Sequence, residues 1–187
     1  MNDAHREFCA SPEWRTMVEE QVLPDALHDV DLGSEVIEIG PGPGLTTDVL
    51  RKRTDHLVAV ELDPDLAAAL KNRFRETNVE VILGDATALD LPDDRFSAGA
   101  SFHMLHHIGS DDAQDRAFAE LARVIHAGGL FVAADGVFSD GSLAFHQNDT
   151  YNPIDPVDLG HRLEQVGFRS INIAMHELGW YCSAVVA

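Results

Sequence analysis

Short apolar runs alternate with amphipathic stretches along most of this chain. Glu35 to Gly40 reads as a strand bounded by Gly33-Ser34 and Gly40, and a helical stretch follows from about Leu45 to Arg53. Leu57 to Leu62 (LVAVEL) is a second strand, after which Asp63-Pro64 opens a helix with an N-cap and a proline in its first turn. Val79 to Leu83 gives a third strand, Phe96 to Phe102 a fourth and Asp111 to His126 an amphipathic helix. A fifth strand, Leu130 to Ala134, comes after a Gly128-Gly129 stop. Asp155 to Val166 is a late helix with Val157, Leu159, Leu163 and Val166 apolar, ended by Gly167. Strands over Phe168 to Ala174 and Trp180 to Val186 complete the pattern.

Strand and helix taking turns implies a parallel sheet covered by helices on both faces. The last two strands, joined by Met175 to Gly179, look like an antiparallel pair closing one edge. Ahead of the first strand, Trp14, Met17, Val18, Val22 and Leu23 recur at roughly helical spacing, so residues 12–30 predict a helix interrupted near Pro24. At 187 residues and 45% hydrophobic composition, the chain reads as one domain. Its expected organisation is a helical segment, 1–31, packed on a domain over 32–187.

Composition excludes several classes. No apolar run approaches the ~20 residues of a membrane-spanning helix. The opening MNDAHREFCASPEW has neither the basic nor the apolar region of a signal peptide, so a cytoplasmic chain is expected. Cys9 and Cys182 lie at opposite ends, with no disulfide or zinc pattern. A net charge of −19, from 32 acidic against 13 basic residues, opposes a phosphate backbone unless the cations gather. The two clusters, Arg51-Lys52-Arg53 and Lys71, Arg73, Arg75, fall instead in the last turns of predicted helices, where they complement the helix dipole. No nucleic-acid partner or membrane insertion is expected, and the chain should be a monomer or homodimer.

The first strand ends in Glu38-Ile39-Gly40-Pro41-Gly42-Pro43-Gly44. Glycine at every second position lets the backbone pass close to a ligand just before a helix N-terminus. A dinucleotide loop would have Gly-x-Gly-x-x-Gly, but Leu45 stands where its third glycine belongs, which disfavours a nicotinamide oxidoreductase. Glu61 ends the second strand, where an acidic side chain can accept from both ribose hydroxyls. Asp85, in Gly84-Asp85-Ala86 after the third strand, can accept from an exocyclic amine or serve as a turn residue.

This combination resembles the class I S-adenosylmethionine-dependent methyltransferases, and the resemblance runs from about Leu32 to the end of the chain. It includes Leu121-Ala122-Arg123-Val124-Ile125-His126-Ala127-Gly128-Gly129-Leu130 and Leu163-Glu164-Gln165-Val166-Gly167-Phe168. It implies an α/β fold: a Rossmann-like doubly wound sheet of about seven strands, mostly parallel, with an antiparallel C-terminal pair and helices on both faces. It implies S-adenosylmethionine as cofactor, with Gly40, Gly42 and Gly44 near its methionine part and Glu61 on the ribose. Leu62 would pack on the adenine and Asp85-Ala86 read its edge. Glu38 would orient the loop or the cofactor's amino group, and Phe102 would border the site.

The first half, with GPGPGLTT, VAVELD and NVEVILGDA, also resembles the ribosomal RNA adenine dimethyltransferases. Those enzymes carry Asn-(Leu/Ile)-Pro-(Tyr/Phe) after strand four, to stack and engage a flipped base. This chain has Ser101-Phe102-His103-Met104-Leu105-His106-His107 there, which resembles the corresponding loop of small-molecule methyltransferases. The expectation is therefore methyl transfer by in-line displacement to a small-molecule acceptor, with an RNA adenine enzyme and a cofactor-binding module without catalysis as the alternatives. Acidic residues near the strand ends, such as Asp63, Asp65, Asp90 and Asp93, favour a neutral or cationic acceptor.

Such a displacement needs a base only when the acceptor starts protonated. His103 and His106, just beyond the fourth strand, are the candidates, with loop packing or capping as the other explanation. His103, His106 and His107 also have a spacing that could hold a metal on a helix face. No carboxylate shares the motif, and no metal site is expected. The long segment from Asp135 to Asp155 has the length of a substrate-binding or lid element, which makes Asp135, His146 and Tyr151 the candidate acceptor contacts, with a solvated loop of Asp-Gly and Asn-Pro turns as the other explanation. Trp14 either covers the cofactor or anchors the core.

Overall fold

A computed structural model describes residues 2–187 of the chain. One seven-stranded sheet runs in the order β3-β2-β1-β4-β5-β7-β6. Its strands are β1 (Glu35–Ile39), β2 (His56–Glu61), β3 (Val79–Leu83), β4 (Phe96–Phe102), β5 (Ile125–Asp135), β6 (Phe168–His176) and β7 (Gly179–Val186). The first five pair in parallel, and β7 runs against both β5 and β6, so it alone is reversed. Between β1 and β4 the winding changes direction, which leaves a crevice at their carboxyl ends where a doubly wound sheet takes its ligand.

The period-two alternation of a strand divides the core between the two faces. Ile37, Ile39, Val58, Val60, Phe131 and Ala133 face one side, with Phe118, Leu121, Leu159 and Leu163 of the helices α6 (Asp111–Val124) and α8 (Pro156–Gln165). Val36, Leu57, Ala98, Ala100 and Val132 face the other, against Val18, Val22, Leu23 and Leu27. Helices begin where the sequence offers caps. Asp63 accepts from the amides of Asp65 (2.9 Å) and Leu66 (3.1 Å) at the start of α5 (Pro64–Arg73), and Asp155 caps α8 in the same way. No helix among the described residues is long and apolar enough to cross a membrane.

The structure departs from the sequence pattern at three places and bears out the interruption near Pro24. Gly128-Gly129 does not precede β5 but lies inside it: pairing passes from Phe96↔Ile125 to Ala98↔Leu130, with residues 126–129 bulged out. Gly128 takes φ +79°, and a Cβ on Gly129 would fall 2.8 Å from the Ser97 carbonyl oxygen, so glycine here serves a bulge rather than a stop. The N-terminal helix breaks before Pro24, into α2 (Pro12–Met17), a π-helical turn (Val18–Val22) and α3 (Leu23–Ala26). Pro24 has no N–H for the preceding turn, and the widened turn accommodates that loss.

Two short helices were not expected, α1 (Asp3–Cys9) and α7 (Asp140–Phe145). Elements this short gain their stability from packing and caps rather than from propensity. Asn2 caps α1 by accepting from the His5 amide (2.8 Å), and its side-chain amide donates to the carbonyls of Phe145 (2.9 Å) and Gln147 (3.1 Å). The beginning of the chain is thereby tied across the crevice to the segment that follows β5. The helix α4 (Leu45–Leu50) completes the fold behind the glycine loop.

Candidate functional site

The three loop glycines all have positive φ, yet each meets a different constraint. A Cβ on Gly40 would fall 1.9 Å from Met104 Cγ, and one on Gly44 would fall 2.6 Å from Leu70 Cδ2. A Cβ on Gly42 would meet nothing within 4 Å, because that glycine faces open space. Glu38 is 1% exposed and accepts from Thr47 Oγ1 (2.6 Å) and from Thr46 Oγ1, which ties β1 to the first turn of α4. Burial pushes its carboxyl up to about 7. Glu61 holds the loop from the other side: Oε2 accepts from the Gly42 amide (3.0 Å) and Oε1 from the Asp63 amide (2.9 Å), and burial raises its pKa too.

These residues open onto one cavity of about 600 Å³, within the range of small-ligand sites. Gly40, Gly42, Glu61, Leu62, Asp85, Ala86 and Phe102 line it, as the sequence led us to look for, while Glu38 and Gly44 stand behind the wall they shape. Leu62 is 68% exposed and offers an apolar plate beside Glu61. Asp85 Oδ1 accepts from the Thr87 amide and hydroxyl, both at 2.8 Å, so its carboxylate is held at the cavity edge by its own turn. An open glycine wall, a carboxylate, an apolar plate and a second carboxylate fit the methionine, ribose and adenine parts of S-adenosylmethionine.

The far end of the cavity is rich in imidazoles. His103, His106, His146 and Tyr151 line it. Asp135 does not: it is 0% exposed, accepts from the amides of His106 (3.1 Å) and Gly136 (2.7 Å), and grips His106 Nδ1 at 2.5 Å. His103 takes φ +52°, sets its ring edge-on to Trp14 with centroids 5.0 Å apart, and is pushed down to about 4 by burial. Tyr151 stacks on His146 with centroids 4.4 Å apart. Trp14 lines the cavity as well.

His5 and His107 also belong here, although neither stood among the expected site residues. Each of His5, His106, His107 and His146 brings one nitrogen to within 4.8 Å of the others. So many imidazoles cannot share positive charge in a buried place. Burial, then mutual repulsion, pushes His5 down to about 4 and His107 down to about 3, and burial lowers His146. His106 alone is raised, because Asp135 outweighs the burial that opposes its charge. Asp149 lies 3.6 Å from His5 Nδ1 and 3.9 Å from His107 Nδ1. A sequence signal for His5 existed: His5, Phe8 and Cys9 share one helical face, and all three line the cavity.

A family model described as a methyltransferase domain matches residues 37–133. A probable ribosomal RNA small subunit methyltransferase A of Haloarcula marismortui is 41% identical over 93 residues, which cover 46% of this chain and 32% of that protein. The chain thus spans about a third of the length of that relative, and less of a second from Thermococcus onnurineus, 47% identical over 58 residues that cover 31% of this chain and 21% of that one. Among solved structures, a SAM dependent methyltransferase from Aquifex aeolicus superposes with a TM-score of 0.75 over 100% of both chains at 17% identity. At that identity the likeness concerns the fold.

Proposed function

This chain belongs to the methyltransferase domain family, and from that premise we propose that it transfers the methyl group of S-adenosylmethionine to a neutral or cationic small molecule. The observation that carries the acceptor reading is the cavity lining. None of the described lining residues is lysine or arginine, and Asp149, beside the histidines, is acidic. A polyanion entering there would meet repulsion with no compensating cation.

Gly40 and Gly42 admit the cofactor's methionine part, Glu61 accepts from the ribose, Leu62 packs on the adenine, and Asp85-Ala86 read its edge. When bound, the cofactor supplies a methyl group on a sulfonium, which departs by in-line displacement. The chain's own contribution is alignment and exclusion of water, with Trp14 and Phe8 lining the cavity from the N-terminal helices. His106 is fixed by Asp135 with its Nε2 bare, and is the group positioned to take a proton from an acceptor that arrives protonated. His103 is the second such group.

The names of the curated relatives support a second reading, methylation of ribosomal RNA. Residues 101–107 and the −19 charge weigh against it. The purified chain is to be incubated with S-adenosylmethionine and either a panel of amines, phenols and thiols or deproteinised small-subunit ribosomal RNA, following S-adenosylhomocysteine release. Turnover is expected with a member of the small-molecule panel. Turnover on the RNA alone would overturn the acceptor reading, and failure to bind S-adenosylhomocysteine would overturn the activity.

A further inference from the structure

Four histidines converge at the far end of the cavity from three separated parts of the chain: His5 on α1, His106 and His107 after β4, and His146 after α7. Convergence alone is common among aromatic side chains, so the protonation pattern matters more. His106 Nδ1 faces a carboxylate oxygen of Asp135 at 2.5 Å, and His146 Nδ1 faces the Ser142 carbonyl oxygen at 2.6 Å. Both partners are acceptors, so each Nδ1 carries the hydrogen and each Nε2 presents a lone pair. Those two Nε2 atoms are buried and lack a hydrogen-bond partner among the described residues, and His5 Nδ1, also buried, has the Asp149 carboxylate opposite it at 3.6 Å. The three side chains are only 6–7% exposed.

A buried polar atom left bare is costly, and the great majority in folded proteins have a partner. Here two bare nitrogens belong to rings of the convergent group, with a carboxylate behind one and a carbonyl behind the other. That is the arrangement in which a ligating imidazole is oriented by a hydrogen bond on its other nitrogen. We propose that His5, His106, His107 and His146 form a binding site for one divalent transition-metal ion of the zinc class.

Nitrogen donors select zinc, cobalt, nickel or copper over magnesium and calcium, which prefer oxygen. A tetrahedral ion with Zn–N of about 2.0–2.1 Å requires its nitrogens roughly 3.3 Å apart. The nitrogens lie within 4.8 Å of one another, so binding requires a contraction of up to about 1.5 Å. Asp149, beside His5 and His107, supplies negative charge next to the cation. The site does not rest on the methyl-transfer reading, since it concerns only what the imidazoles hold. Where the ion is bound, His106 Nε2 would be a ligand rather than a base, and the four imidazoles would fill the positions of a tetrahedral ion.

The full chain, purified without a polyhistidine tag and stripped with a chelator, is to be titrated with Zn²⁺ by calorimetry in excess Mg²⁺ and with Co²⁺ by visible absorption. One ion per chain is expected, with the intense d–d bands of tetrahedral Co²⁺. Asp135→Asn should weaken Zn²⁺ binding about 10–100-fold and His146→Ala, which removes a ligand, by at least as much, whereas His126→Ala and His161→Ala, both on the surface, should leave it unchanged. Circular dichroism checks that each variant folds. The wild-type Co²⁺ spectrum needs no variant: octahedral bands, or no stoichiometric binding, would overturn the site. So would full affinity in a folded His5→Ala/His146→Ala double variant. S-adenosylhomocysteine binding measured on the same samples keeps failure of this site separate from failure of the methyltransferase reading.

Discussion

Replacing Glu38 by glutamine should flatten the pH dependence of stability between pH 5 and pH 8. The Glu38 carboxyl titrates at about 7 in the folded chain against an ordinary value of 4.5, because it is fully buried and its partners Thr46 and Thr47 do not compensate the charge. The native state therefore holds its proton more tightly than the unfolded state. That contribution is fully present below about pH 4.5 and is lost as the pH rises through about 7. At about 1.4 kcal/mol per unit, the loss between pH 5 and pH 8 is of order 3 kcal/mol. In a domain of this size that corresponds to roughly 5–10 °C in melting temperature. Glutamine keeps an acceptor for the threonines and has no proton to lose. The stability difference between wild type and Glu38→Gln, followed by urea denaturation in matched buffers, should move by that amount in favour of the variant as pH rises, while contributions common to both chains cancel. A difference that stays constant from pH 5 to pH 8 would refute the reasoning.

Gly40→Ala should destabilise the fold by ~2 kcal/mol or more, since its Cβ lands on Met104 at a positive φ. Gly42→Ala, whose Cβ points into the cavity, should cost only about 1–2 kcal/mol of stability but weaken S-adenosylhomocysteine binding at least ~10-fold in calorimetry. Equal effects of the two on stability would contradict the separate tasks assigned to them. Glu61→Gln should lower cofactor affinity by roughly 10–100-fold, the value of one hydrogen bond to a charged group, and unchanged affinity would remove it from the ribose site. Asn2→Ala should leave global stability within ~2 kcal/mol while hydrogen exchange speeds up over residues 142–149. Exchange confined to wild-type rates there would show that Asn2 does not hold the two segments together.

The cofactor half of the site was legible because its information is local. Positive-φ glycines, a carboxylate at a strand end and an Asp turn each announce themselves within a few residues, and the βα alternation aligns them. Even there the sequence could not separate Gly42, which faces the cavity, from Gly44, which packs against Leu70, because spacing does not reveal what a Cβ would touch. The histidine end was only half legible. His106 and Asp135 were found separately, but their 2.5 Å contact spans β4 and β5 and has no local signature. His5 was overlooked because the face it shares with Phe8 and Cys9 spans little more than one turn, too little to mark α1 as a helix by itself. Gly128-Gly129 misled for a related reason: glycine marks a bulge as readily as a stop, and only the pairing partner decides which.

Asn2 bonds Phe145 and Gln147 across more than 140 residues of chain, and that contact has a thermodynamic consequence. Closing so long a loop from an unfolded chain would be unfavourable, yet the entropy grows only logarithmically with length, and the assembled sheet has already brought both ends to the crevice. The cavity therefore has both of these walls only in the fully folded chain, since either segment alone leaves one of them missing. Any molecule captured there binds the native state and not its partly folded precursors. Ligand concentration and global stability are then linked quantities: saturation at a hundred times the dissociation constant would add about 2.7 kcal/mol to the whole domain, well beyond the contacts the ligand itself makes.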